Sequence, residues 1–157
     1  MKKSTILVLA VLAILSCGMR RVDPLKFDVK GGLVVCVGYD DPQSLVEIGR
    51  AGPYLVQGLD TDVDKVEAAR KLIQSEGLSG KVTADVFDGK NLPYTDNLVN
   101  LLVVLDPGCE ISDNEMNRIL APRGVGIMGN DGTGLRKFTK PVPADIDDWT
   151  HFLHGPD

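Results

Sequence analysis

The chain has 157 residues, with 17 Lys+Arg against 22 Asp+Glu for a net charge of −5, and 43% of its residues are apolar. This is the composition of one soluble globular domain, short for a two-domain enzyme and at the low end for a complete doubly wound α/β domain. No basic run exceeds Lys2-Lys3 or Arg20-Arg21, which argues against a nucleic-acid groove built on counterion release and leaves basic or uncharged partners.

Lys2 and Lys3 precede an apolar stretch from Ile6 to Leu15, about ten residues and far short of the roughly 20 that span a bilayer. The pattern reads as an export signal over residues 1–16. Its end, Ile14-Leu15-Ser16-Cys17, resembles the lipobox of bacterial lipoproteins. By that resemblance Cys17 is the acylated N-terminus and the protein is membrane-anchored on the extracytoplasmic side. Ordinary signal cleavage nearby and a short buried helix are the alternatives. Cleavage before Cys17 removes two lysines, leaving 15 Lys+Arg against 22 Asp+Glu, a net charge of −7. Residues 17–30 then form a linker. Cys36 and Cys109 are too few for a disulfide framework. One lies in an apolar strand pattern and the other in a loop, with both histidines far away in the tail.

From Gly31 the chain reads as β-α-β-α-β-β-α-β. Leu33 to Gly38 is a continuous apolar run bounded by glycines, which predicts a strand buried on both faces. Asp41-Pro42 opens a helix that Gly52-Pro53 ends, and Tyr54 to Leu59 is the second strand. Asp60-Thr61-Asp62 starts a helix whose Val63, Val66, Ala69, Leu72 and Ile73 fall on one face before Gly77 stops it. Val82 to Phe87 is a short strand, and Asp88 to Asn97 is too short and polar for more than a turn. Leu98 to Leu105 is a strand, Ser112 with Glu115 makes a capping-box start to a third helix, and Gly124 to Met128 is the fifth strand. Right-handed crossovers turn this order into a Rossmann-like, doubly wound, mostly parallel five-strand sheet over residues 31–130. Residues 131–157 read as a linker and the start of a following domain, with Trp149, His151 and His154 near the end. The His151/His154 pair with Asp147 or Asp148 is too thin a donor set for a metal site, so no metal is assigned.

Ligands of such sheets bind beyond the carboxyl ends of the strands, where strand order reverses. That edge brings together Gly38, Asp40, Asp60, Asp88 and Asp106. Asp60 follows Gly38 by 22 residues, the spacing at which an acid meets the ribose hydroxyls of a nucleotide cofactor. Capping of the next helix by Asp60 and Asp62 is the competing reading. The run Gly38-Tyr39-Asp40-Asp41-Pro42-Gln43 lacks the glycines a pyrophosphate requires, which excludes NAD, and no P-loop exists.

Four stretches, Val34 to Gly38, Gly58-Leu59-Asp60, Asp85 to Asn97 and Glu115 to Gly124, resemble successive motifs of class I S-adenosylmethionine-dependent methyltransferases. The most specific are Leu92-Pro93-Tyr94-Thr95-Asp96-Asn97 and the turn Arg118-Ile119-Leu120-Ala121-Pro122-Arg123-Gly124. The resemblance implies S-adenosylmethionine as cofactor, with Gly38 under its methionine part, Asp60 on the ribose and Asp88 at the adenine amino group. Asp40 and Pro42 stand where the family has glycines, and Asp40 sets a carboxylate near that of the methionine part. Arg123 replaces another glycine, Asn100 replaces an aspartate, and no catalytic base is identifiable. An exported domain of this kind followed by Asp147 to Asp157 also resembles the N-terminal part of large secreted bacterial proteins carrying a PQQ-like β-propeller, which would make the propeller its packing partner. Two functions follow: a methyltransferase with an unknown acceptor, or a degenerate, non-catalytic module tethered through Cys17. Export weighs against the first, since S-adenosylmethionine is made in the cytoplasm.

Overall fold

The computed structural model describes residues 26, 28–106, 108–130 and 134–143. The signal and Cys17 lie outside the described residues, as does the tail from Asp147 to Asp157. Six strands form one sheet in the order β3-β2-β1-β4-β5-β6: β1 Gly32–Val37, β2 Tyr54–Asp60, β3 Val82–Val86, β4 Val99–Val104, β5 Leu120–Asn130 and β6 Gly134–Thr139. Three helices connect them, α1 Gln43–Ala51, α2 Val63–Ser75 and α3 Asp113–Ile119. The first five strands run parallel and β6 is antiparallel to β5. This is the expected Rossmann-like, doubly wound α/β architecture.

Both faces of the sheet are covered, which is why β1 and β4 carry apolar residues without alternation. On one face Val34, Val56, Leu101 and Ile127 pack with Leu45, Val46 and Ile48 of α1 and Val66, Ala69 and Ile73 of α2. On the other Val35, Leu59, Leu102 and Leu120 pack with Met116 and Ile119 of α3 and with Leu92 from the β3–β4 connection. Pro42 takes the cap position of α1, one residue later than the sequence pattern places it. Asp62 caps α2 by accepting from the Asp64 and Lys65 N–H groups, and Ser112 caps α3 by accepting from Glu115 N–H.

The sheet has six strands rather than five, because Gly134–Thr139, read in the sequence as linker, pairs with β5. Its outward residues Leu135 and Lys137 are exposed, and that polar, edge-strand composition disguised it. Phe138 pairs with Gly126 across the two strands, and its ring occupies the space a side chain at Gly126 would take. A glycine under an aromatic ring is how this hairpin brings a bulky residue onto a tightly covered face. Gly126→Val therefore evicts Phe138, and we expect a loss of about 1–3 kcal/mol, read by urea denaturation. Stability equal to that of the parent protein would show that β6 does not depend on this contact.

Candidate functional site

The carboxyl edge of the sheet is built by three backbone hydrogen bonds that extend the strand pairing by one residue. Gly38 N–H donates to Leu59 O at 2.9 Å, Phe87 N–H to Asp60 O at 3.2 Å, and Leu105 N–H to Val37 O at 2.9 Å. The ends of β1, β2 and β4 thus stand side by side, with Val86 of β3 opposite Asp60 and with Asp88 and Asp106 just beyond the strands. Strand order reverses between β1 and β4, so the crevice expected of this fold lies between Gly38 and Asp106. Gly38 has φ +67°, and a Cβ there would overlap the Cβ of Asp106. Only glycine permits both the left-handed turn and the close approach.

Asp60 is the feature that capping does not explain. It is 2% exposed, the one buried charged residue among the described residues. Its Oδ1 accepts from Asp62 N–H at 2.9 Å, so the capping reading holds for half of the carboxylate. Its Oδ2 is buried without a hydrogen-bond partner, and Lys65 Nζ approaches only to 3.6 Å. A buried carboxylate oxygen left unpaired is costly, which makes it a ready acceptor for a ligand hydroxyl. The cofactor expected at this position presents vicinal ribose hydroxyls, and the orphaned oxygen fits them.

Sequence reasoning passed over Tyr39. It is 2% exposed, its ring fills the notch left by Gly58, and its hydroxyl is also buried without a partner. Burial, reinforced by the Asp60 carboxylate, pushes its pKa up to about 12, so it remains a neutral donor at any physiological pH. The only signal available in the sequence was an aromatic residue beside a glycine.

Asp88 is less available than the sequence suggests. Its Oδ1 accepts from the Lys90 and Asn91 N–H groups and its Oδ2 from Asn91 Nδ2, all within 2.7–2.8 Å. These bonds, the Asn91 amide first, hold the carboxyl down to about 2. The loop it caps is tied to the β4–α3 loop by Glu110 N–H donating to Gly89 O at 3.0 Å and by a Lys90–Glu110 ion pair at 2.6 Å. Cys109 follows Asp106, whose Oδ2 lies 3.6 Å from its Sγ, and burial with that carboxylate raises its pKa to about 11. Cys36 is raised to about 12 by burial. Neither thiol is a nucleophile near neutrality.

Asp40 is exposed. Asp41 caps its own turn: its Oδ1 accepts from Gln43 N–H at 2.9 Å and its carbonyl accepts from Ser44 N–H. Asn100, where the resembled family has aspartate, accepts from Leu33 N–H at 2.9 Å and packs against Gly32 at the opposite end of β1. It serves the sheet, away from the crevice. Arg123 adopts φ +66°, the conformation that explains a glycine preference at that turn. Among the described residues no three His, Cys, Asp or Glu side chains converge on a possible metal position, and no helix is long and apolar enough to cross a membrane.

No protein-family profile matches the sequence. The chain is 29% identical over 105 residues to Methyltransferase GfsG of Streptomyces halstedii, covering 63% of this chain and 38% of that protein. It is 30% identical over 104 residues to norajmaline N-methyltransferase of Rauvolfia serpentina, covering 54% of this chain and 36% of that protein. The chain therefore spans well under half the length of these relatives. Among solved structures, geranyl diphosphate C-methyltransferase of Streptomyces coelicolor A3(2), in complex with Mg2+, geranyl diphosphate and S-adenosyl-L-homocysteine, superposes with a TM-score of 0.57 at 15% identity, covering 62% of this chain and 37% of that one. The fold is that of class I methyltransferases.

The hydrogen bonds of Asp88 make a direct prediction. Its carboxyl carbon should titrate near pH 2 by NMR, well below the usual value of about 3.9, and Asn91→Ala should move the midpoint upward. Because the folded pKa is depressed, the loop gains stability above the unfolded pKa and loses it as pH falls through the folded one. An ordinary midpoint for Asp88 in the parent protein would exclude this loop geometry.

Proposed function

We propose that this methyltransferase-like domain binds the adenosyl part of S-adenosylmethionine, or of its product, at the carboxyl edge of the sheet. Asp60 would take the ribose hydroxyls, Gly38 would pass beneath the thioether, and the Asp88 loop would border the adenine. The observation that carries this reading is Asp60 Oδ2, buried and without a hydrogen-bond partner at the end of β2. S-adenosylmethionine, when bound, supplies the methyl group. The chain's part is to hold and orient it, and methyl transfer would rest on proximity and alignment.

A second reading has its own observation. Asp40 and Pro42 occupy glycine positions of the resembled pattern, and Asp41 Oδ1 is engaged by Gln43 N–H at the start of α1, which favours a binding module without turnover. In either case we propose, from the sequence of residues 1–17 and of the tail, that the domain is exported, anchored through Cys17, and packed on a β-propeller partner.

The binding reading is tested by calorimetry with adenosine and adenosyl thioethers up to millimolar concentration. A charge-assisted hydrogen bond is worth about 1.5–3 kcal/mol, so Asp60→Ala should weaken binding by at least tenfold without unfolding the protein. The parent protein should likewise bind 2′-deoxyadenosine more weakly than adenosine. Absence of heat with every ligand refutes the site, and affinities indifferent to Asp60 and to the 2′-hydroxyl refute its assignment to the ribose.

A further inference from the structure

We infer that this edge is built for an adenosyl thioether or sulfonium whose side chain ends in an amine without a carboxylate, in preference to the intact amino-acid end of S-adenosylmethionine or S-adenosylhomocysteine. The inference rests on the adenosyl-binding reading above and refines its ligand class.

Charge is the first ground. The described residues that border this edge, 38–43, 60–65, 88–91, 106 and 108–110, carry Asp40, Asp41, Asp60, Asp62, Asp64, Asp88, Asp106 and Glu110 against Lys65 and Lys90. Both lysines are engaged with acids: Lys65 lies 3.6 Å from Asp60, and Lys90 pairs with Glu110 at 2.6 Å. Neither belongs to the Gly38 end, where Asp40 and Asp106 flank the turn. A ligand carboxylate placed there meets like charge, whereas an ammonium meets attraction.

The backbone gives the second ground. The start of a helix ordinarily offers free N–H groups to an anion. Here Pro42 has no N–H, Gln43 N–H is spent on Asp41 Oδ1 and Ser44 N–H on Asp41 O, and Gly38 N–H is spent on Leu59 O. At the first turn of α1 the donors next to Pro42 are thus already taken, Gln43 N–H by the Asp41 carboxylate and Ser44 N–H by the Asp41 carbonyl. The unpaired, buried Asp60 Oδ2 marks the same edge as prepared for a ligand hydroxyl. One half of the ligand is thus provided for, and the carboxylate is not.

The test compares three ligands by calorimetry on the full chain: S-adenosylhomocysteine, its decarboxylated amine S-adenosyl-3-thiopropylamine, and 5′-methylthioadenosine. The amine should bind at least tenfold more tightly than S-adenosylhomocysteine, with methylthioadenosine between them. The gap should shrink in 1 M salt, where the Debye length is about 3 Å. Asp40→Asn, a change at an exposed position, should raise affinity for S-adenosylhomocysteine several-fold and leave methylthioadenosine unchanged. If S-adenosylhomocysteine binds as tightly as the amine, this inference fails while the adenosyl site stands. If none of the three binds, both fall.

Discussion

The close approach of Gly38 to Asp106 governs the rest of the carboxyl edge. Gly38 leaves β1 in the left-handed conformation and has no side chain to hold Asp106 away, so the ends of β1 and β4 converge where strand order reverses. The same residue donates its N–H to Leu59 O, which sets the end of β2 and with it Asp60. One glycine therefore determines both where the crevice opens and which carboxylate stands beside it. A residue with a Cβ would face a left-handed strain of about 1–3 kcal/mol as well as the overlap.

The second constraint comes from a helix that is missing. The β3–β4 connection must cover one face of the sheet, yet residues 87–98 contain no helix. Leu92 and Tyr94 do the covering, held by Glu115 and Arg118 of α3. Glu115 accepts from Leu92 N–H at 3.0 Å instead of closing its capping box, and Arg118 donates to Leu92 O, Tyr94 O, Asp96 and Glu115. The two stretches that look most family-specific in the sequence, Leu92 to Asn97 and Arg118 to Gly124, are thus two sides of one clamp. Tyr94 extends it by donating to Gln57, whose amide reaches Asp85, and Arg70 wraps the β3 edge to bond Ala84 O and Asp85. Arginine on an exposed strand edge occupies acceptors that could otherwise recruit another strand.

How much of this was legible follows from what burial writes into a sequence. β1 and β4 are covered on both faces and are apolar but for Asn100 near the start of β4, so their runs stood out. α2 showed itself by period and cap, because Asp62 and Gly77 perform the expected tasks at its two ends. β6 was invisible, since Leu135, Arg136, Lys137 and Thr139 are exposed and its one partly buried aromatic, Phe138, depends on Gly126 in another strand. Within the site, the place of Asp60 was legible from spacing alone. Its unpaired oxygen was not, nor was the buried hydroxyl of Tyr39, because partnership is a property of three-dimensional neighbours. The local bonds of Asp88 follow from Asp88-Gly89-Lys90-Asn91, which spells a turn whose aspartate bonds its own loop.

The glycine loop shows how fold and ligand chemistry separate. Gly38, the residue that geometry requires, is present. The later glycine positions of the resembled pattern hold Asp40 and Pro42. Asp41 and Pro42 improve the start of α1, by a side-chain acceptor for Gln43 N–H and a preset φ. The same two residues remove the free N–H groups that make a helix start attractive to an anion. At this helix start the local turn takes Gln43 N–H and Ser44 N–H as donors. Asp60 is not consumed in this way, because its Oδ1 meets the needs of α2 and leaves Oδ2 over. The two strand ends therefore differ: Asp60 keeps one carboxylate oxygen without a hydrogen-bond partner, while Asp41 spends its side-chain oxygen on its own turn.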